Sequence, residues 1–224
     1  MERKIIKTSD GSTTIFLPEW DETYHSKFGA IQEAYHVFIK SGLSLFTEKS
    51  VSILEIGFGT GLNAFITFLE AKQKGISIDY TGIEAYPIPA EEVVQLNYVA
   101  ELQAQEFDGV FKQMHACPWE EKTRIDAQFN LTKKQQFFKD IQAENEFDLI
   151  YFDAFGFRVQ PELWSAEIFS IMYKALKENS ILVTYAARGP IKRAMQEAGF
   201  QVEKLQGPPG KREMMRAKKG DLTQ

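Results

Sequence analysis

The sequence predicts an α/β fold built on a doubly wound, mostly parallel sheet. Three observations predict it. Short β-rich apolar runs alternate with helix-periodic segments from Val51 to the C-terminal region. Two of those runs, Phe147–Phe152 and Ile181–Tyr185, are almost continuously apolar, as expected of strands covered on both faces. The first run ends in Gly57, Gly59 and Gly61 at a strand-to-helix turn, where such sheets bind ligands.

The elements follow in order. Thr14–Leu17 reads as a short strand stopped by Pro18, and Gly29–Phe38 has helical spacing, with Ile31, Ala34, Tyr35 and Phe38 on one face. Val51–Ile56 is the first buried strand, Leu62–Lys74 a helix stopped by Gly75, and Ile76–Glu84 a second strand. Pro89 to Glu106 reads as one helix with proline in its first turn, and Phe111–His115 as a strand. Weak alternation in Arg124–Phe129 and Leu131–Phe138 suggests a hairpin insertion. Pro161–Leu176 and Pro190–Ala198 are helical. Phe200–Leu205 and Glu213–Ala217 are set to pair antiparallel at the sheet edge, across Gly207-Pro-Pro-Gly210. The expected organisation is an N-terminal extension, residues 1–47, covering a single compact unit, residues 48–224.

The chain has 224 residues, 44% of them hydrophobic, enough for one good core. With 13% aromatics it does not have the composition of a disordered chain. Cys117 is the single cysteine, so no internal disulfide forms. The charged start Met1–Asp10 has no apolar signal region, and no run is long enough to span a membrane. The expected location is the cytoplasm, and nothing demands more than a monomer. The net charge of −5 counts against nucleic-acid binding. From Ile191 onward, however, Lys192, Arg193, Lys204, Lys211, Arg212, Arg216, Lys218 and Lys219 outnumber Glu197, Glu203, Glu213 and Asp221. A solvated terminal tail explains that bias as well as an RNA contact does.

The sharpest motif is Glu55-Ile-Gly57-Phe-Gly59-Thr-Gly61. Its third glycine comes one residue earlier than in a dinucleotide loop, and an acid precedes the first. That pattern suits S-adenosylmethionine (SAM), with Glu55 near the cationic sulfonium and amino group; a structural turn is the plainer alternative. Glu84 ends the second strand, about 20 residues past Gly61, where a carboxylate can accept from both ribose hydroxyls. Asp140 precedes the strand at Phe147 and could accept from the adenine amino group, or simply cap a helix. Asp153 ends the strongest strand beside aromatics. There it could hydrogen-bond an amine, orient its lone pair and help it shed a proton; a capping role is the alternative. There is no CxxC, HExxH or clustered His/Cys set, so no metal site is expected, and His25, His36 and His115 are scattered.

Several stretches together resemble the methyltransferase domain of the MnmC proteins and its stand-alone relatives, sometimes called MnmD. They are Tyr24-His25-Ser26 with Gly29–Glu33 and His36-Val-Phe38, Glu55 through Asn63, Asp153-Ala-Phe155 with Gln160-Pro-Glu-Leu-Trp164, Thr184-Tyr185, and Gly207-Pro-Pro-Gly-Lys-Arg-Glu-Met214. The resemblance implies a Rossmann-like class I SAM-dependent methyltransferase with a seven-stranded sheet. It implies N-methylation of 5-aminomethyl-2-thiouridine at the tRNA wobble position. It implies that Gly57, Gly59, Gly61, Glu84 and Asp140, with Glu55 and Asn63, hold SAM, and that Asp153 faces the amine. Phe28 and Gly29–Glu33 would close over the cofactor. Phe155, Arg158 and Tyr185 would meet the substrate, with Lys211 and Arg212 at the mouth near RNA phosphate. In bifunctional relatives an FAD-dependent domain first removes a carboxymethyl group; this chain ends at Gln224 without room for it, so another route to the aminomethyl form is expected. Gly156-Phe-Arg-Val159 departs from the family loop, which often carries Ala/Ser-Pro and then a lysine; Arg158 is placed to supply that charge.

For stacking on a flipped base, Phe155, Phe157, Trp164 and Tyr185 are candidates, and core packing is the better reading for at least two of them. Two other functions fit the same cofactor site: methylation of a small-molecule amine or other metabolite, and aminopropyl transfer as in polyamine synthases. The latter sites pair two aspartates, where this loop offers only Asp153.

Overall fold

The structure is a computed structural model describing residues 2–220. Asp221, counted above among the C-terminal acids, lies outside the described residues. The first strands, β1 (Lys4–Lys7), β2 (Thr13–Leu17) and β3 (Glu22–Thr23), form a separate antiparallel sheet. Helix α1 (Ala30–Ala34) runs on into wider π-helical turns over Tyr35–Lys40. The large sheet then begins: β4 (Ser50–Ile56), α2 (Leu62–Lys74) and β5 (Ser77–Ile83). The short helices α3 (Ala90–Val93) and α4 (Tyr98–Glu101) precede α5 (Asp108–Ala116) and a hairpin, β6 (Lys122–Asp126) and β7 (Phe129–Lys134). The chain continues through β8 (Phe147–Phe152), α6 (Ala166–Ala175), β9 (Leu176–Thr184) and α7 (Gly189–Glu197), and then the hairpin β10 (Gln201–Gln206) and β11 (Glu213–Lys218).

The large sheet has eight strands in the order β10-β11-β9-β8-β4-β5-β7-β6. The five from β9 to β7 are mutually parallel and the edges are antiparallel. The expected count of seven is thus corrected to eight, because the hairpin is no appendage. Its strand β7 pairs parallel with β5, from Ile78 opposite Phe129 to Ile83 opposite Lys134. The alternation of Phe129, Leu131 and Lys133 with Asn130, Thr132 and Lys134 buries one face of it, as a sheet strand requires. The C-terminal hairpin pairs as the sequence predicts, and its cations are largely engaged: Lys204 with Glu213, Arg216 with Glu203, and a buried Lys219 with Leu176 and Asn145.

Two other expectations change. Phe111–His115 belongs to α5, not to a strand: Phe111 packs on Phe65 with ring centroids 5.1 Å apart, and Met114, three residues on, is fully buried. The single helix expected over Pro89–Glu106 breaks at Asn97. Its side-chain Oδ1 accepts from Thr13 N at 2.7 Å and its Nδ2 donates to Gly11 O at 2.9 Å. Tying the N-terminal sheet to the domain through that residue takes precedence over helix continuity.

Helices cover both faces. One layer packs α2 and α5 on the sheet together with Ala30, Val37, Phe38 and Leu43 of the N-terminal segment; the other packs α6 and α7 on Phe152, Phe169 and Met215. From β4 the chain runs outward through β5 to β7, then returns to the other side of β4 as β8. The switch point therefore lies between β4 and β8, whose carboxyl ends carry Gly57 and Asp153. Among the described residues no helix is long and apolar enough to cross a membrane.

Phe152 has no exposed surface and touches Trp164 and Phe169, each with ring centroids 5.0 Å away. Phe152→Ala should lower stability by about 3–5 kcal/mol, read as a lower urea midpoint at unchanged slope.

Candidate active site

The carboxyl ends of β4 and β8 form the floor of a cavity of about 530 Å3, within the size range of cofactor sites. Gly57 and Phe58 both donate their N–H to Ile83 O, at 3.0 and 2.9 Å, so the glycine loop folds back over the end of β5. Gly57 (φ +89°), Gly59 (φ +49°) and Gly61 (φ +71°) all take the left-handed conformation. At Gly57 there is also no space, since a Cβ would stand 2.7 Å from Asp153 O. Asp153 N in turn donates to Ile56 O at 2.9 Å, joining the two strand ends.

Glu84 lines the cavity, and each of its oxygens is held by backbone: Oε2 by Gly59 N at 3.0 Å and Oε1 by Tyr86 N at 2.9 Å. Asn63, on the first turn of α2, donates Nδ2 to Glu55 Oε1 at 2.9 Å and to Asp153 Oδ2 at 2.8 Å. Its own Oδ1 is buried without a partner, in a residue of the cavity wall. Glu55 itself is not in that wall, contrary to the expected place beside the cofactor's charge. It lies beneath, fully buried, and reaches the cavity only through Asn63. Burial, with Asp153 and Glu84 nearby, pushes its carboxyl well above the usual range and favours the neutral acid. Asp153 is raised to about 7, mostly by burial and also by neighbouring Glu33, against the downward pull of Asn63 and Lys211.

Asp140 does not reach the cavity. The tight turn Phe138–Asp140 leaves its side chain exposed, and Phe137, Phe138 and Lys139 line the wall instead. Exposed Phe137 and Tyr86 meet edge to face at 6.0 Å at the cavity rim. The N-terminal segment contributes Trp20, Tyr24 and His25 to the cavity wall, whereas Phe28 is exposed and packs on Gly210. Burial lowers His25 to about 4, so its imidazole is neutral at ordinary pH. These wall aromatics carry no periodic signal; only the Tyr24-His25 pair was visible, as part of the family resemblance.

The substrate-side residues divide. Phe155 lines the cavity, edge to face with Tyr24 at 4.9 Å and Trp20 at 5.6 Å. Trp164 is a core residue, 1% exposed, that donates Nε1 to Phe155 O at 2.8 Å. Tyr185 packs on the core and donates its hydroxyl to Ala154 O at 2.8 Å, and Phe157 also packs on the core. Arg158 anchors the cover, donating to Trp20 O at 2.7 Å and Asp21 O at 2.9 Å, with Glu22 3.6 Å away. Lys211, expected at phosphate, turns its ammonium inward to Glu33, whereas Arg212 stays exposed.

A strand-end glycine turn, an acid at the end of β5 and an acid at the switch point meet in one cavity. The chain belongs to a family of S-adenosyl-L-methionine-dependent methyltransferases, whose model matches residues 95–220. Its cofactor is SAM, and the residues present fit it: Gly57 and Gly59 put bare backbone in the cavity wall, and in Asn63 Oδ1 there is a buried acceptor that an ammonium would satisfy.

Among known proteins, the chain is 29% identical over 223 residues to the tRNA 5-methylaminomethyl-2-thiouridine biosynthesis bifunctional protein MnmC of Delftia acidovorans, covering 91% of this chain and 33% of that protein. The MnmC of Hydrogenovibrio crunogenus is 26% identical over 210 residues, covering 87% and 31%. The chain thus spans about a third of the length of these curated relatives. MnmC2 from Aquifex aeolicus superposes with a TM-score of 0.73 at 22% identity, covering 96% of this chain and 70% of that one. A spermidine synthase from Thermotoga maritima superposes at 0.56 with 14% identity, covering 97% and 69%. Both likenesses establish a shared fold.

Two outcomes test the site. Gly57→Ala places a Cβ against Asp153 O at positive φ, a strain of about 1–3 kcal/mol; calorimetry should show SAM affinity falling at least about tenfold. Asp153 is neutral below about 7 and charged above it. Its contribution to holding a cation therefore grows as pH rises through that value. SAM affinity should climb across that interval in the native protein, and Asp153→Asn should remove that climb.

Proposed function

We propose that the chain is a cytoplasmic, monomeric N-methyltransferase that converts 5-aminomethyl-2-thiouridine to 5-methylaminomethyl-2-thiouridine at the wobble position of tRNA. The observation that carries this reading is Asp153. It stands at the switch point in the cavity wall, one oxygen held by Asn63, its titration range raised to about 7. The likeness to MnmC proteins along nearly the whole chain supports the substrate.

Gly57, Gly59, Gly61, Asn63 and Glu84 would hold SAM, with Tyr86 and Phe137 at the rim against its base. Bound SAM supplies an electrophilic methyl group. An alkylamine is mostly protonated at neutral pH and lacks the lone pair that methylation needs. Ionised Asp153 accepts a hydrogen bond from the amine, orients its lone pair and holds the proton the nitrogen gives up. A carboxylate titrating near 7 is matched to that exchange. Trp164 and Tyr185 hold the carbonyls of Phe155 and Ala154, keeping the Asp153 turn in place before substrate arrives. Phe155 offers a ring to the uridine, Arg158 braces the cover, and Arg212 supplies positive charge at the outer rim.

The test incubates the protein and labelled SAM with tRNA from a strain lacking the endogenous enzyme and identifies nucleosides by mass spectrometry. One added methyl on aminomethyl-thiouridine, lost in Asp153→Ala and weakening with salt, is the expected result. SAM binding without a methylated nucleoside, and transfer to free amines instead, would replace this reading with a small-molecule methyltransferase.

A further inference from the structure

The loop between β10 and β11 is stapled to the N-terminal segment at three points. His36 Nε2 lies 2.8 Å from Gln206 O. The Phe28 ring packs on Gly210 so closely that even a Cβ there would overlap it. The Lys211 ammonium bonds Glu33, a carboxylate only 7% exposed, whose other oxygen accepts from Ser26 N at 3.0 Å. The same ammonium stands 3.9 Å from the centre of the Tyr185 ring, a cation–π contact. The Tyr185 hydroxyl then reaches Ala154 O, one residue beyond Asp153.

We propose that Lys211 is a positioning residue: its inward ammonium, seated between Glu33 and Tyr185, balances the carboxylates gathered around Asp153 and so sets the charge that Asp153 presents to the cavity. The kinetic consequence rests on the methyl-transfer reading; the charge balance does not. The groups that face Asp153 come from five elements. They are Glu33 on α1, Glu55 on β4, Tyr80 on β5, Tyr185 after β9 and Lys211 on the hairpin loop, while Asn63 of α2 donates to Oδ2. Glu33 and Lys211 act on Asp153 in opposite directions, with Glu33 the stronger of the two. Removing the cation alone leaves a buried carboxylate uncompensated beside Asp153; removing both partners takes away that uncompensated charge.

The test follows the Asp153 carboxyl by carbon-detected NMR in the ligand-free protein, with Asp153→Asn identifying the signal. Lys211→Met should raise the titration midpoint by about one pH unit or more. Glu33→Gln should lower it. Glu33→Gln with Lys211→Met should fall between the two single variants, and Lys211→Arg should stay at the native midpoint. In the methyl-transfer assay, the acid limb of kcat/KM should move in the same order, which loss of packing alone would not produce. Equal midpoints in native and Lys211→Met proteins, both folded by circular dichroism, overturn the proposal. If Lys211→Met does not fold, Glu33→Gln against the double variant isolates the lysine, and equal midpoints there overturn it too. Absence of tRNA methylation in the native protein would remove the substrate reading and leave the NMR outcome standing.

Discussion

Two parallel strands end side by side, and one backbone must pass over the other with no side chain between them. That contact, Gly57 against the carbonyl of Asp153, organises the rest of the site. It requires a glycine at the first position of the loop. It also holds the loop close enough to β5 for Glu84 to accept from Gly59 N, and it puts the Asp153 side chain beside the cradle. A sheet that switches direction between β4 and β8 opens a crevice at that point, and Gly57 and Gly59 put bare backbone in its wall.

Electrostatics then distinguish three acids that look alike in the sequence. Glu84 has a backbone N–H on each oxygen. Asp153 shares one amide donor and sits against Glu33 and Lys211. Glu55 is sealed under Asn63 and driven toward its neutral form. Burial separates them more than residue type does, because removing water from a carboxylate costs more than one or two hydrogen bonds restore. The result is a graded set: an acceptor held by backbone at the end of β5, a titrating group at the switch point, and a neutral support below.

The roof of the cavity comes from elsewhere. Trp20, Tyr24 and His25 belong to a segment whose own small sheet is tied to the domain by Asn97, Arg158 and the Glu33–Lys211 pair. The C-terminal hairpin, whose basic residues resemble a solvated tail when counted in one dimension, is a sheet edge with most of that charge internally engaged. The same fold carries spermidine synthase, so the architecture alone does not choose between methyl and aminopropyl transfer; the family match over residues 95–220 does.

The sequence by itself determined the α/β class and the strand at Phe147–Phe152, and it marked the glycine turn, Glu84 and Asp153, which the fold brings to one cavity. It could do so because apolar runs, glycine spacing and strand-end acids are local patterns with local causes. Only the tertiary structure decided that β7 enters the sheet, that Asn97 interrupts a helix to hold the N-terminal sheet, that Asp140 faces solvent while Phe137 and Tyr86 flank the cavity, and that Lys211 turns inward. Each depends on a partner far away in the chain, 84 residues away for Asn97 and Thr13 and 178 for Lys211 and Glu33. A local pattern specifies which way a side chain leaves its own element. What it meets, and whether its charge is spent inside the protein or offered to a ligand, is set by packing between elements that sequence spacing does not encode.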